Sequence, residues 1–111
     1  MSERIVTDNE LQKALDWLRD SARDLGEAKK RLVKADKMLA HTEALMIRAS
    51  EEKSDEKRKA DARSSKRYFE AIIECSEAAG DFETMKALRE AAALKIETWR
   101  SEQANYRAMK V

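Results

Sequence analysis

The chain has 111 residues, with 23 Lys and Arg against 22 Asp and Glu, 41% charged positions, two glycines, no proline and one cysteine. Residues 1–111 make one domain at most, and so charged a chain has few core residues with which to bury the roughly two thirds of its unfolded surface that a compact domain of this size hides. One cysteine closes no internal disulfide, and no apolar run approaches the roughly 20 residues that cross a bilayer.

Ala, Leu, Glu, Lys, Arg and Met dominate, all strong helix formers, while Gly and Pro are too scarce to punctuate a sheet with turns. The fold class expected is all-α. The opening MSERIVTDNE lacks the apolar segment of a signal peptide, so the expectation is a soluble, cytoplasmic chain.

Thr7 with Glu10 matches a capping box at the start of the first helix. From there Leu11, Leu18, Leu25, Leu32, Leu39 and Met46 recur every seven residues, the spacing that holds one seam of a helix against a partner. The companion row reads as Leu15 and Ala22 up to Gly26, and as Ala28, Ala35, Thr42 and Ala49 beyond it. Small residues alternating with leucines let two backbones approach closely, which suits an antiparallel pair. Gly26 lies where the companion row changes and is expected to mark a bend or a close crossing. A helix over residues 8–50 is about 65 Å long at 1.5 Å per residue, a stripe too long for one small chain to cover, and this predicts a homo-oligomer.

Residues 50–67 are polar, and Ser54-Asp55 is the expected reversal point because short polar side chains bond their own backbone there. A second helix carries Ala62, Tyr68, Phe69, Ile72, Ile73 and Cys75, with Phe69 assigned to the core beside the two isoleucines. Gly80-Asp81 then reads as a C-cap followed by a new N-cap. The third helix presents Phe82, Met85, Leu88, Ala92, Ile96, Trp99, Gln103 and Tyr106 at spacings of three and four. The whole predicts an elongated helical hairpin or coiled coil, one long N-terminal helix with two shorter helices returning along it.

Chemistry is sparse. Cys75 falls in an apolar stripe, and His41 stands near Lys34 and Lys37 on a polar face. One of each makes neither a zinc site nor a nucleophile with its base. Glu74, Glu77 and Glu90 have no histidine three residues on, and the two glycines form no phosphate loop. No catalytic residue, metal or cofactor is expected.

The net charge of +1 conceals segregation: residues 29–67 hold thirteen basic and seven acidic groups. Lys30, Lys34 and Lys37 share a face of the first helix, and Lys59, Arg63, Lys66 and Arg67 share a face of the second. Facing a common tip, these would form a candidate nucleic-acid surface, although interleaved carboxylates equally describe a solvated face. Trp17, Trp99 and Tyr106 are the candidate protein-interface residues, since aromatics anchor helix-groove contacts.

The segment Leu94-Lys-Ile-Glu-Thr-Trp99-Arg-Ser-Glu-Gln-Ala-Asn105-Tyr-Arg107, with Glu10-Leu-Gln-Lys-Ala-Leu-Asp-Trp17-Leu, resembles small helical proteins of tailed bacteriophages and prophages. The resemblance implies an accessory role in the host cytoplasm, beside recombination and replication or against a host defence system. The expectation is therefore a non-catalytic coiled-coil interaction protein that binds itself and another protein, not a membrane. The alternative is a nucleic-acid-binding accessory protein.

Overall fold

The computed structural model describes residues 4–110. It is all-α: α1 spans Asp8–Ala49 (42 residues), α2 Asp55–Arg63 (9) and α3 Lys66–Met109 (44), with no strand among the described residues.

Each helix start is fixed by a hydroxyl. The Glu10 N–H donates to Thr7 Oγ1 (3.1 Å), but the reciprocal arm of the expected capping box differs, because the Glu10 carboxylate accepts from the Thr7 hydroxyl (3.3 Å). Ser54 caps α2 by accepting the Lys57 N–H at 3.2 Å, at the expected reversal. Ser65 caps α3, accepting the Tyr68 N–H (3.2 Å) while its own hydroxyl donates to the Ala62 carbonyl (2.6 Å).

The helix boundary expected at Gly80-Asp81 does not occur. It falls at Ser64-Ser65, and α3 continues through Gly80, whose φ is not positive. A glycine inside a helix costs about 1 kcal/mol relative to alanine, too little to halt a segment of good helix formers. Gly26 likewise sits in an unbroken α1, and a Cβ added to it meets nothing within 4 Å, so no close crossing explains it.

The chain forms two compact units, Met1–Leu25 with Thr84–Val111 and Gly26–Glu83. In the first, α1 and α3 run antiparallel around buried Ala14, Ser21, Ala92 and Ile96, with Leu11, Trp17 and Leu18 packed alongside. Ahead of α1, the backbone N–H groups of Ile5 and Val6 donate to the Glu102 carboxylate at 3.1 and 3.0 Å, and the Val6 side chain is buried. Arg89 reaches across to the Leu18 carbonyl (2.8 Å) and Ser21 Oγ (2.7 Å).

In the second unit Ala35, Ala62 and Ala78 are buried, and Ala28, Leu32, Leu39, Thr42, Ala71, Cys75 and Phe82 are half-buried. Arg31 binds Glu74 (2.8 Å) and Asp81, Arg63 meets Glu43 (3.3 Å), and the Lys29 ammonium lies 5.0 Å from the Phe82 ring centre.

The companion row of the leucines therefore does not switch at Gly26. Ala14 and Ser21 hold it in the first unit, while Leu15 is 42% exposed and Ala22 is exposed. The reason is size: a row of Ala14, Ser21, Ala28, Ala35 and Thr42 lets α3 lie close along each unit, and Leu15 would hold it off. Every member of the leucine row, Leu11, Leu18, Leu25, Leu32, Leu39 and Met46, is half-buried. Phe69 is not a core residue: it is exposed, as are Ile72 and Ile73, and Tyr68 turns inward in its place. Of the expected third-helix stripe, Leu88 and Tyr106 stand outside.

Because the buried layer is made of alanine, enlarging it is expected to harm more than it helps. Ala78→Leu is expected to destabilise by about 1–3 kcal/mol through overpacking, and Leu39→Ala by about 2 kcal/mol from a half-buried site. Urea unfolding checks both, and an Ala78→Leu protein more stable than the parent contradicts the close seam.

Candidate functional site

The first unit carries a groove of about 300 Å³ between α1 and α3. It exists because Ala14, Ala91 and Ala92 are too short to fill the space beside the half-buried Trp17 ring and the exposed Leu88. Glu10, Lys13 and Lys95 complete the lining. The Glu10 carboxylate is engaged with Thr7 at the start of α1, whereas Lys13 and Lys95 have no ion-pair partner among the described residues. The result is an apolar trough with an aromatic wall and two free ammonium groups at its edge.

Of the three expected interface aromatics, Trp17 lines this groove. Trp99 is half-buried and its indole N–H donates to Asp8 (2.9 Å), so it ties α3 to the start of α1. Tyr106 is exposed, with the Lys110 ammonium 4.8 Å from its ring centre.

The basic residues do not assemble as expected. The break at Ser64-Ser65 puts Lys59 and Arg63 on α2 and Lys66 and Arg67 on α3, so these four share no single helix face. Arg63 pairs with Glu43 and Lys66 with Glu70 (3.9 Å). Lys30, Lys34 and Lys37 lie on α1, where the intervening Arg31 is bound to Glu74 and Asp81. Lys30, Lys34, Lys37, Lys59 and Arg67 have no ion-pair partner among the described residues. A second groove of about 300 Å³ in this unit is lined by Met38, His41, Thr42, Leu45, Met46 and Arg67.

Cys75 faces α1 and its thiol donates to the Asp36 carboxylate at 2.9 Å. That hydrogen bond, then burial, pushes the thiol pKa up from its ordinary value and keeps the sulfur protonated. Among the described residues no group of three or more His, Cys, Asp or Glu is placed to hold a metal ion, and no helix is long and apolar enough to cross a membrane.

Comparison of the chain with protein-family models, with curated proteins and with solved structures found no match in any of the three.

Sequence reasoning missed the groove itself. Its signal was present as Ala14 between Lys13 and Trp17 and as Ala91-Ala92 ahead of Lys95, but which alanines face each other depends on register, which a single periodicity does not give.

The Arg31 guanidinium beside Glu74 holds that carboxyl below the usual range, chiefly by their hydrogen bond. A carboxyl lowered on folding contributes stability above its unfolded value of about 4.3 and loses it as pH falls through the folded value. Glu74→Gln is therefore expected to lower Tm slightly at neutral pH, by a gap that narrows as the pH is lowered toward 3. Thermal melts at the two pH values check this, and an equal gap at both contradicts the assignment.

Proposed function

We propose that the chain is a non-catalytic helical interaction protein, of the accessory kind that the resembled phage proteins represent. It associates with a second copy of itself and holds a segment of another protein in the groove beside Trp17. The observation that carries this reading is the groove: an apolar trough with an aromatic wall is a helix-in-groove site, and tryptophans in such positions are frequent energetic anchors. Lys13 and Lys95 at its edge select an amphipathic helix with carboxylates flanking its apolar side chains.

Lys30, Lys34, Lys37, Lys59 and Arg67, without ion-pair partners among the described residues, favour a weaker second reading, non-specific contact with nucleic acid phosphate. Its affinity would fall steeply with salt. The carboxylates interleaved along residues 51–61 work against it.

Trp17→Ala is expected to weaken capture of the native partner by about tenfold or more, and Lys13→Glu with Lys95→Glu to weaken it without loss of helix content. Affinity capture from the native host with each variant tests this, using Lys53→Ala as a remote control. Capture that survives both groove variants overturns the reading.

A further inference from the structure

We propose that the partner segment held in the Trp17 groove is a C-terminal one: the last turns of an amphipathic helix whose free α-carboxylate lies between Lys13 and Lys95, with its apolar side chains running on toward Trp17 and Leu88. The inference rests on the groove reading above and adds the direction of the bound segment and the group in which it ends.

Register sets the order of the lining residues. The bonds from Trp99 to Asp8 and from Arg89 to the Leu18 carbonyl fix α1 and α3 antiparallel in this unit. Between these two ties Lys95 comes level with Lys13, and Ala91 level with Trp17. The two ammonium groups therefore flank the part of the groove nearer the start of α1, one from each wall, and neither has an ion-pair partner among the described residues. Glu10 stands about one turn beyond Lys13, its carboxylate accepting from the Thr7 hydroxyl. Two lysines against one carboxylate leave this end positive. The remainder, toward Leu88, is apolar.

The positive end is also the closed one. Ahead of α1 the chain crosses to α3, where the Ile5 and Val6 N–H groups donate to the Glu102 carboxylate at 3.1 and 3.0 Å and the Val6 side chain is buried. Glu102 follows Lys95 by seven residues, about two turns further along the same face of α3. A segment lying in the groove runs up against this crossing and stops there. At the Leu88 end α1 and α3 both continue, and no segment of the unit crosses between them among the described residues.

Charge then decides which terminus stops. An N-terminus would bring an ammonium group and the positive pole of its helix to the two lysines. A C-terminus brings a carboxylate, the negative pole and the last carbonyls, which have no partner within their own helix. Lysine side chains satisfy such carbonyls, and capture of a terminal carboxylate is a recurring mode of peptide recognition. Size agrees: about 300 Å³ takes the few apolar side chains of the last turns, standing at the lower limit of small-molecule sites.

Fluorescence anisotropy on the full chain tests the proposal. The probes are an amphipathic peptide of Leu, Ala and Gln about 15 residues long, labelled at its N-terminus and ending in a free carboxylate, its C-terminal amide, and an amidated version with one Glu at its middle. The free acid is expected to bind about fivefold more tightly than either amide, the scale of two exposed charge contacts. Lys13→Met with Lys95→Met is expected to abolish that difference, with circular dichroism unchanged because both side chains are exposed. Trp17→Ala is expected to weaken all three peptides. A free acid that does not bind, acid and amide of equal affinity, a mid-helix Glu peptide as tight as the free acid, or a difference that survives loss of both lysines overturns the proposal. Equal affinities that still fall with Trp17→Ala refute the terminal carboxylate and leave the groove standing. Affinities indifferent to Trp17→Ala refute the groove as well.

Discussion

The structure depends on how closely α1 and α3 approach within each unit, and that distance is set by the smallest side chains in the seam. Ala14, Ser21, Ala28, Ala35 and Thr42 on α1 and Ala71, Ala78 and Ala92 on α3 put backbone near backbone. No large side chain is fully buried among the described residues, and the leucines that recur along α1 are only half covered. Interaxial distance follows the contact side chains, and dispersion attraction falls quickly with separation. Close contact over a narrow strip therefore replaces the broad core that so charged a chain does not have the residues to build.

A repetitive seam has a weakness, since sliding one helix by seven residues presents nearly the same face. Polar ties remove that degeneracy. Arg89 fits only where the Leu18 carbonyl and Ser21 hydroxyl converge, and Arg31 only where Glu74 and Asp81 stand one above the other on α3. Asp8 with Trp99 and Glu102 with the Ile5 and Val6 amides fix the same register in the first unit. Surface pairs contribute little stability, and their service here is selection: a slipped register leaves the Arg89 guanidinium in the seam without acceptors, a costly state for a charge.

Much of this was legible in the sequence, and the failures have one physical origin. The leucine row, the start of the first helix at Thr7 and the reversal at Ser54 follow from periodicity and cap chemistry, which are local. The companion row was misread because Leu15 is apolar and Ser21 is not, whereas the seam selects on size. Gly80-Asp81 looked like a terminus because glycine permits one, yet permission does not end a helix whose neighbours favour continuing. Ser64-Ser65 was the better signal, a hydroxyl three residues before Tyr68. Phe69 was given to the core by its neighbours Ile72 and Ile73, which are apolar on the wrong face. Register, the property that decides which face is inward, is carried by contacts between distant residues, and these also create the Trp17 groove.

A narrow seam also explains why so much apolar surface remains outside. Each helix spends one thin face on its partner, so Leu15, Met38, Leu45 and Leu88 lie along the flanks without cover. The two helices differ in this respect. The apolar residues of α1 crowd about its leucine row, while those of α3 divide between the inward row of Tyr68, Cys75, Phe82 and Ile96 and the outward group Phe69, Ile72 and Ile73. A helix that only had to cover α1 would have polar residues on that second face, as α1 does at Lys30, Lys34 and Lys37. Exposed apolar groups weaken solubility and add nothing to the monomer's stability. The outward face of α3 therefore keeps apolar groups that the chain's own seam does not cover.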